Sequence, residues 1–118
     1  MPITVAVTFR NMEPSPSLEA FIKRWAGRLQ RVDPRVRSCD VTVELPHRHQ
    51  HQGNHFRVQL VVTVPGRQIA ISREPGDDNA HEDARVAVRD SFRAARRQLE
   101  ELARKQRSHS VALSARTS

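Results

Sequence analysis

Residues 84–102, ARVAVRDSFRAARRQLEEL, constrain the fold more than any other stretch of the 118. Ala84, Ala87, Val88, Ser91, Phe92, Ala95, Leu99 and Leu102 recur at the three- and four-residue intervals of one helix face. A helix with such a face is stable only when a second layer covers it, so the rest of the chain has to supply that layer. Beside the apolar stripe runs a second one, of Arg85, Arg89, Arg93, Arg96 and Arg97. At about 100° per residue these five occupy an arc of roughly 120° on the flank of the apolar face. One side of this helix needs a core, and the next is suited to an anion.

The covering layer is legible in the alternation of the other segments. Ile3, Val5, Val7 and Phe9 point one way and Thr4, Ala6 and Thr8 the other, the pattern of a half-buried strand. Ser15 is placed to cap a helix with Pro16 at its first position, where a missing N–H costs nothing. Leu18, Phe21, Ile22, Trp25, Ala26 and Leu29 then form an apolar helix face ending near Val32, and Asp33-Pro34 stops it. Lys23, Arg24, Arg28 and Arg31 lie off that face, where a solvated polar side and a binding surface are both open readings.

From Val36 to Leu45 the alternation returns, with Cys39, Val41, Val43 and Leu45 inward and Ser38, Asp40, Thr42 and Glu44 outward. Cys39 falls in phase with the apolar set and reads as a small core residue rather than a nucleophile. A polar loop with His47, His49, His51 and His55 leads to a third strand, Phe56–Val64. Pro65-Gly66 signals a tight turn, and Gln68–Ser72 a short fourth strand. Residues 73–83 are too polar and too rich in glycine and proline for an element. Asp77, Asp78, Glu82 and Asp83 put negative charge before or within the first turn of the last helix, where its dipole favours it, and Asp78 or Asn79 is the expected cap. That helix is expected to reach about Arg107, with 108–118 a flexible tail.

The order strand, helix, three strands, helix predicts an α+β two-layer sandwich. Its four-stranded mixed sheet carries both helices on one face, within a single domain over 1–107. The first strand–helix–strand unit is long enough for a right-handed parallel crossover, and the later strands, joined by hairpins, are antiparallel.

A formal charge of +7 and a pI near 11.3 favour a polyanionic partner. One cysteine precludes an intramolecular disulfide and suits a reducing compartment. The N-terminus, MPITVAVTFRN, lacks a basic region followed by an apolar run, and no run approaches the ~20 apolar residues of a membrane span. The expectation is a soluble, cytoplasmic protein without a membrane partner.

Three constellations compete for function. His47, His49 and His51 alternate, and in a strand two such imidazoles could meet one ion. No cysteine or acid joins them, so a polar, partly cationic loop touching a partner is the stronger reading, and no metal or cofactor is expected. For catalysis nothing assembles: there is no phosphate loop, no Gly-x-Ser-x-Gly, and only His81 near Asp83, or Asp40 and Glu44, as acid–base groups. Neither an enzyme nor a small-molecule substrate is expected. The arginine stripe is the third. Arg85, Arg89, Arg93 and Arg97 set like charges four apart, which costs an isolated helix a few tenths of a kcal/mol per pair and is offset by a polyanion. The alternative is pairing across the fold with Asp40 or Glu44. With no tyrosine and few aromatics, recognition would read the backbone and shape of structured RNA rather than stack its bases on a platform.

Three local stretches resemble the ribosome hibernation-promoting factor family (ribosome-associated translation inhibitors, also called sigma-factor modulation proteins). They are Arg10-Asn11-Met12-Glu13-x-Ser15-Pro16-x-Leu18, the hairpin Val62-Thr63-Val64-Pro65-Gly66, and Glu82-Asp83 opening a helix through Ala87 to Arg97-Gln98-Leu99. The resemblance spans about residues 3–107. It implies a β-α-β-β-β-α fold that binds the small ribosomal subunit in the channel of messenger and transfer RNA, holding ribosomes idle under stress or in stationary phase. By position it assigns RNA phosphate contacts to Arg24, Arg28, Arg31 and Arg97, with Arg104 and Lys105 as additions near the helix end. The chain departs from the family at Arg85, where an aromatic is usual, and at Arg93 and Arg96, where relatives tend to be acidic. Glu100 and Glu101 replace residues that tend to be basic. The basic surface is thus displaced by about a turn toward the helix start. No dedicated dimerisation domain like that of the family's long form is expected, so the resemblance implies a short-form factor or a divergent paralogue. The alternative function is a non-ribosomal module using the same arginine face on another RNA, on DNA or on an acidic protein.

Overall fold

The computed structural model describes residues 3–45, 56–73 and 84–117, with side chains described as far as Gln106. The elements are β1 (Thr4–Arg10), α1 (Pro16–Val32), β2 (Ser38–Glu44), β3 (Arg57–Val64), β4 (Arg67–Arg73) and α2 (Ala84–Thr117). The strands lie side by side in the order β1-β2-β3-β4. β1 pairs parallel with β2 across α1, and both β2–β3 and β3–β4 are antiparallel. The expected β-α-β-β-β-α sandwich is the fold observed.

Local chemistry sets the boundaries of α1. Ser15 is extended (φ −119°, ψ 103°) and its hydroxyl accepts the Leu18 N–H at 3.3 Å, with Pro16 opening the helix. At the other end the Asp33 N–H donates to the Leu29 carbonyl at 2.8 Å, and Pro34 follows. Between β1 and α1 the chain turns at Asn11, whose φ of 55° lies in the left-handed region that asparagine tolerates better than most residues. Its Nδ2 donates to the Leu45 carbonyl at 2.6 Å, tying this junction to the end of β2. The β3–β4 turn is Pro65-Gly66, where Gly66 takes a φ of 77° at no steric cost.

One face of the sheet carries the core. Cys39, Val41, Val43, Val58, Leu60, Val62, Ile69 and Ile71 meet Leu18, Ile22, Ala26 and Leu29 of α1 and Ala87, Val88, Phe92, Ala95 and Leu99 of α2. α1 lies against β1, α2 covers β3 and β4, and the helices pack on each other. All eight expected residues of the α2 stripe are buried, and Ala94 joins them. Ser91 is accommodated because its hydroxyl donates to the Ala87 carbonyl at 2.8 Å. The opposite face, with Thr4, Ala6, Thr8, Asp40, Thr42, Glu44, Gln59, Val61, Thr63, Ala70 and Ser72 in register, has no covering layer among the described residues.

Helix α2 continues to Thr117, beyond the end expected near Arg107. Residues 108–117 contain neither Gly nor Pro, and Ala112, Leu113 and Ala115 are good helix formers, so nothing in them halts propagation. The histidine run at 47–55, the acids Asp77, Asp78, Glu82 and Asp83, the cap at Asp78 or Asn79 and the His81–Asp83 pair lie outside the described residues.

Candidate nucleic-acid interface

The candidate surface is built where α1 and α2 run beside each other on the sheet. On α1, Phe21 and Trp25 are one turn apart and half-buried, with ring centroids 6.3 Å apart in an edge-to-face arrangement. Trp25 in turn stacks on the buried Phe92 of α2 at 6.3 Å, with 22° between the ring planes. These three rings form a seam joining the helices, and the arginines stand along it.

Arg24 and Arg85, one from each helix, both place their guanidinium carbon 6.0 Å from the Phe21 ring centroid. Arg28 sits 5.2 Å over Trp25. Contacts of this kind hold a cation in place through the face of its guanidinium. Beyond Trp25 the helices part to form a cleft of about 510 Å³ lined by Trp25, Leu29, Val32 and Phe92 and by Arg28, Arg31, Arg93 and Arg96. Arg24, Arg28, Arg31, Arg85, Arg93 and Arg96 are all exposed. The helix-to-helix packing therefore brings residues far apart in sequence onto one cationic surface.

The remaining expected residues are placed differently. Arg97, Arg104 and Lys105 are exposed on α2 but do not line the cleft. Arg89 is half-buried, and its Nη2 donates to Asp90 Oδ1 at 3.5 Å, while its Nε, at the same distance from that oxygen, lacks hydrogen-bond geometry. Arg96 pairs with Glu100 at 3.2 Å, both side chains more than half exposed. Arg93 and Arg97 form no ion pair among the described residues.

The alternative in which the stripe pairs with Asp40 or Glu44 is overturned by the topology. Both carboxylates project from the sheet face opposite the helices, and Glu44 holds Arg57 of β3 at 3.0 Å. Cys39 is wholly buried, as its phase predicted. Burial first, and the Asp40 carboxylate second, push its thiol up to about 12. Among the described residues no three His, Cys, Asp or Glu side chains come together as a metal site. Among them, too, no helix is long and apolar enough to cross a membrane.

What sequence reasoning missed is the aromatic seam. Phe21, Trp25 and Phe92 were readable as core, whereas they also carry the arginines. The signal was present in α1 as two copies of one spacing, Phe21 with Arg24 and Trp25 with Arg28.

A family model described as Sigma 54 modulation protein / S30EA ribosomal protein matches residues 5–107. The chain belongs to this family. Among solved structures it is similar to a ribosomal subunit interface protein from Coxiella burnetii. That similarity has a TM-score of 0.68 and 16% identity, covering 86% of this chain and 98% of the other. It is also similar to the N-terminal domain of Protein Y from Thermus thermophilus, with a TM-score of 0.64, 17% identity, and coverage of 86% and 99%. At such identities the likeness is one of fold. The curated proteins contain no match by sequence.

Proposed function

We propose that the chain binds the small ribosomal subunit through structured ribosomal RNA. It would occupy the channel of messenger and transfer RNA and inactivate or protect ribosomes under stress or in stationary phase, in the cytoplasm and without catalysis. The observation that carries this reading is the convergence of Arg24, Arg28 and Arg31 of α1 with Arg85, Arg93 and Arg96 of α2 on one exposed face, in a chain of the S30EA family. A ribosomal subunit interface protein of the same fold supports it. Arg97, Arg104 and Lys105 extend the basic surface along α2, and Arg89 contributes to its field.

Cosedimentation with purified small subunits tests the reading. The wild-type chain should comigrate at low salt. Arg93→Glu combined with Arg97→Glu should weaken binding by about 100-fold, taking about 1.5 kcal/mol for each lost charge-assisted contact. Its melting temperature should match the wild type, because both side chains are exposed and unpaired among the described residues. Absence of comigration by the wild type at low salt would sink the proposal. Equal affinity for unrelated structured RNA would favour the non-ribosomal module.

A further inference from the structure

We propose that the cleft between α1 and α2 receives one unpaired nucleotide of the bound RNA, with its base against the apolar floor and its phosphate among the four guanidinium groups. The inference rests on RNA being the partner of this face, and narrows which feature of the RNA is read.

The cleft has two chemical zones. Leu29 and Phe92 are buried beneath it, and Val32 is 50% exposed, the one large hydrophobic side chain left so open among the described residues. Around this apolar surface stand Arg28 and Arg31 from one helix and Arg93 and Arg96 from the other. A phosphate alone would engage the rim and leave the floor wet. An apolar ligand alone would leave four like charges facing one another across the cleft. A nucleotide satisfies both zones, and about 510 Å³ falls within the roughly 300–1,000 Å³ typical of small-ligand sites. A paired nucleotide is excluded because in a duplex the base is stacked between its neighbours and shows a protein only its groove edge, so its flat face cannot reach the floor.

The site is not an aromatic sandwich. Trp25 already has Arg28 5.2 Å from its ring and Phe92 stacked at 6.3 Å. The base is therefore held by Val32, Leu29 and the guanidinium planes, which stack on flat π systems. The rim is also available: Arg93 forms no ion pair among the described residues, and the Arg96–Glu100 pair is solvent-exposed and weak.

Trp25 is the only tryptophan and there is no tyrosine, so intrinsic emission reports on the cleft alone. The full chain is titrated at low salt with a single-stranded RNA of about ten nucleotides, the size range such sites cover, with its abasic counterpart and with a duplex of equal length. Binding is followed by anisotropy of a dye on the RNA and Trp25 emission is read in parallel. All three RNAs should bind, and only the base-containing single strand should change Trp25 emission. An equal change with the abasic strand or the duplex would overturn the nucleotide site while leaving RNA binding intact, and so would binding without any change. An equal change with adenosine monophosphate at the same concentration would overturn it in favour of a soluble nucleotide. Failure of every RNA to bind would sink the underlying RNA reading as well. In a second arm, Val32→Asp places a carboxylate on the floor at an already exposed position. It should reduce the preference for single strand over duplex by about tenfold, the worth of a lost apolar contact. An unchanged preference would overturn the proposal.

Discussion

Asp33 sits where α1 ends, and its carboxylate is engaged from two directions by one residue. Oδ1 accepts the Arg35 backbone N–H at 3.1 Å and Nε at 2.9 Å, while Oδ2 accepts Nη2 at 2.8 Å. Arg35 also donates Nη1 to Gln106 Oε1 at 2.9 Å, so the loop after α1 is clasped to α2. The Arg35 side-chain hydrogen bond is the main reason that Asp33 is held below the usual carboxylate range. The Arg35 backbone bond and charge add to the effect, and burial opposes it. A depressed folded pKa means stability that is present above the unfolded value of about 3.9 and lost as pH falls through the folded value. Asp33→Asn should thus cost on the order of 1 kcal/mol at pH 7, discounted for the solvent that reaches Arg35. In urea denaturation the gap from wild type should close progressively below about pH 4. A gap of equal size at pH 7 and pH 3 would show that the carboxylate's charge is not its source. At this scale the sequence was informative about caps and phase: Ser15, Cys39 and the α2 stripe stand where their chemistry and periodicity put them. It was silent on Arg35 with Asp33, because nothing in a two-residue spacing announces a bidentate clasp.

The two helices differ in how much of their structure their own sequences reveal. Both ends of α1 are written in residue types, a serine cap with proline behind it and an Asp-Pro stop. α2 carries no stop signal, and its polar C-terminal composition resembles that of a tail, so its end at Thr117 is not written in residue types. The strands were legible because a period of two separates inner from outer residues, yet periodicity within one element cannot say which elements touch. The cleft is a product of helix-to-helix packing, and so only its Arg halves were visible in advance. Phe92 is the element-scale linchpin, buried under both helices and stacked on Trp25. Phe92→Ala should cost roughly 3–5 kcal/mol, since it removes a large side chain and leaves a cavity at the seam. The urea midpoint measures this directly, and a loss under about 1 kcal/mol would mean that the helices close over the gap.

For the molecule as a whole the decisive property is where its charge lies. Six exposed arginines from two helices share one face, whereas the strands on the other side carry Arg10 and Arg57 against Asp40 and Glu44. If five RNA phosphates are neutralised by the helix face, counterion release makes log K fall with log salt at a slope of about −3.5 to −4.5. Affinities for small subunits measured across a salt series give that slope. A value near zero would place the binding energy in contacts other than these arginines.

The uncovered face of the sheet has a consequence of its own. Among the described residues it is an array of threonine, serine, glutamine and alanine around one half-buried valine, Val61, with Arg10 and Arg57 balanced by Asp40 and Glu44. Under the proposed function, the cationic groups that converge on one surface among the described residues are those of the helix side. With that side engaged by RNA, what the described strands turn outward is a hydrated wall of balanced charge.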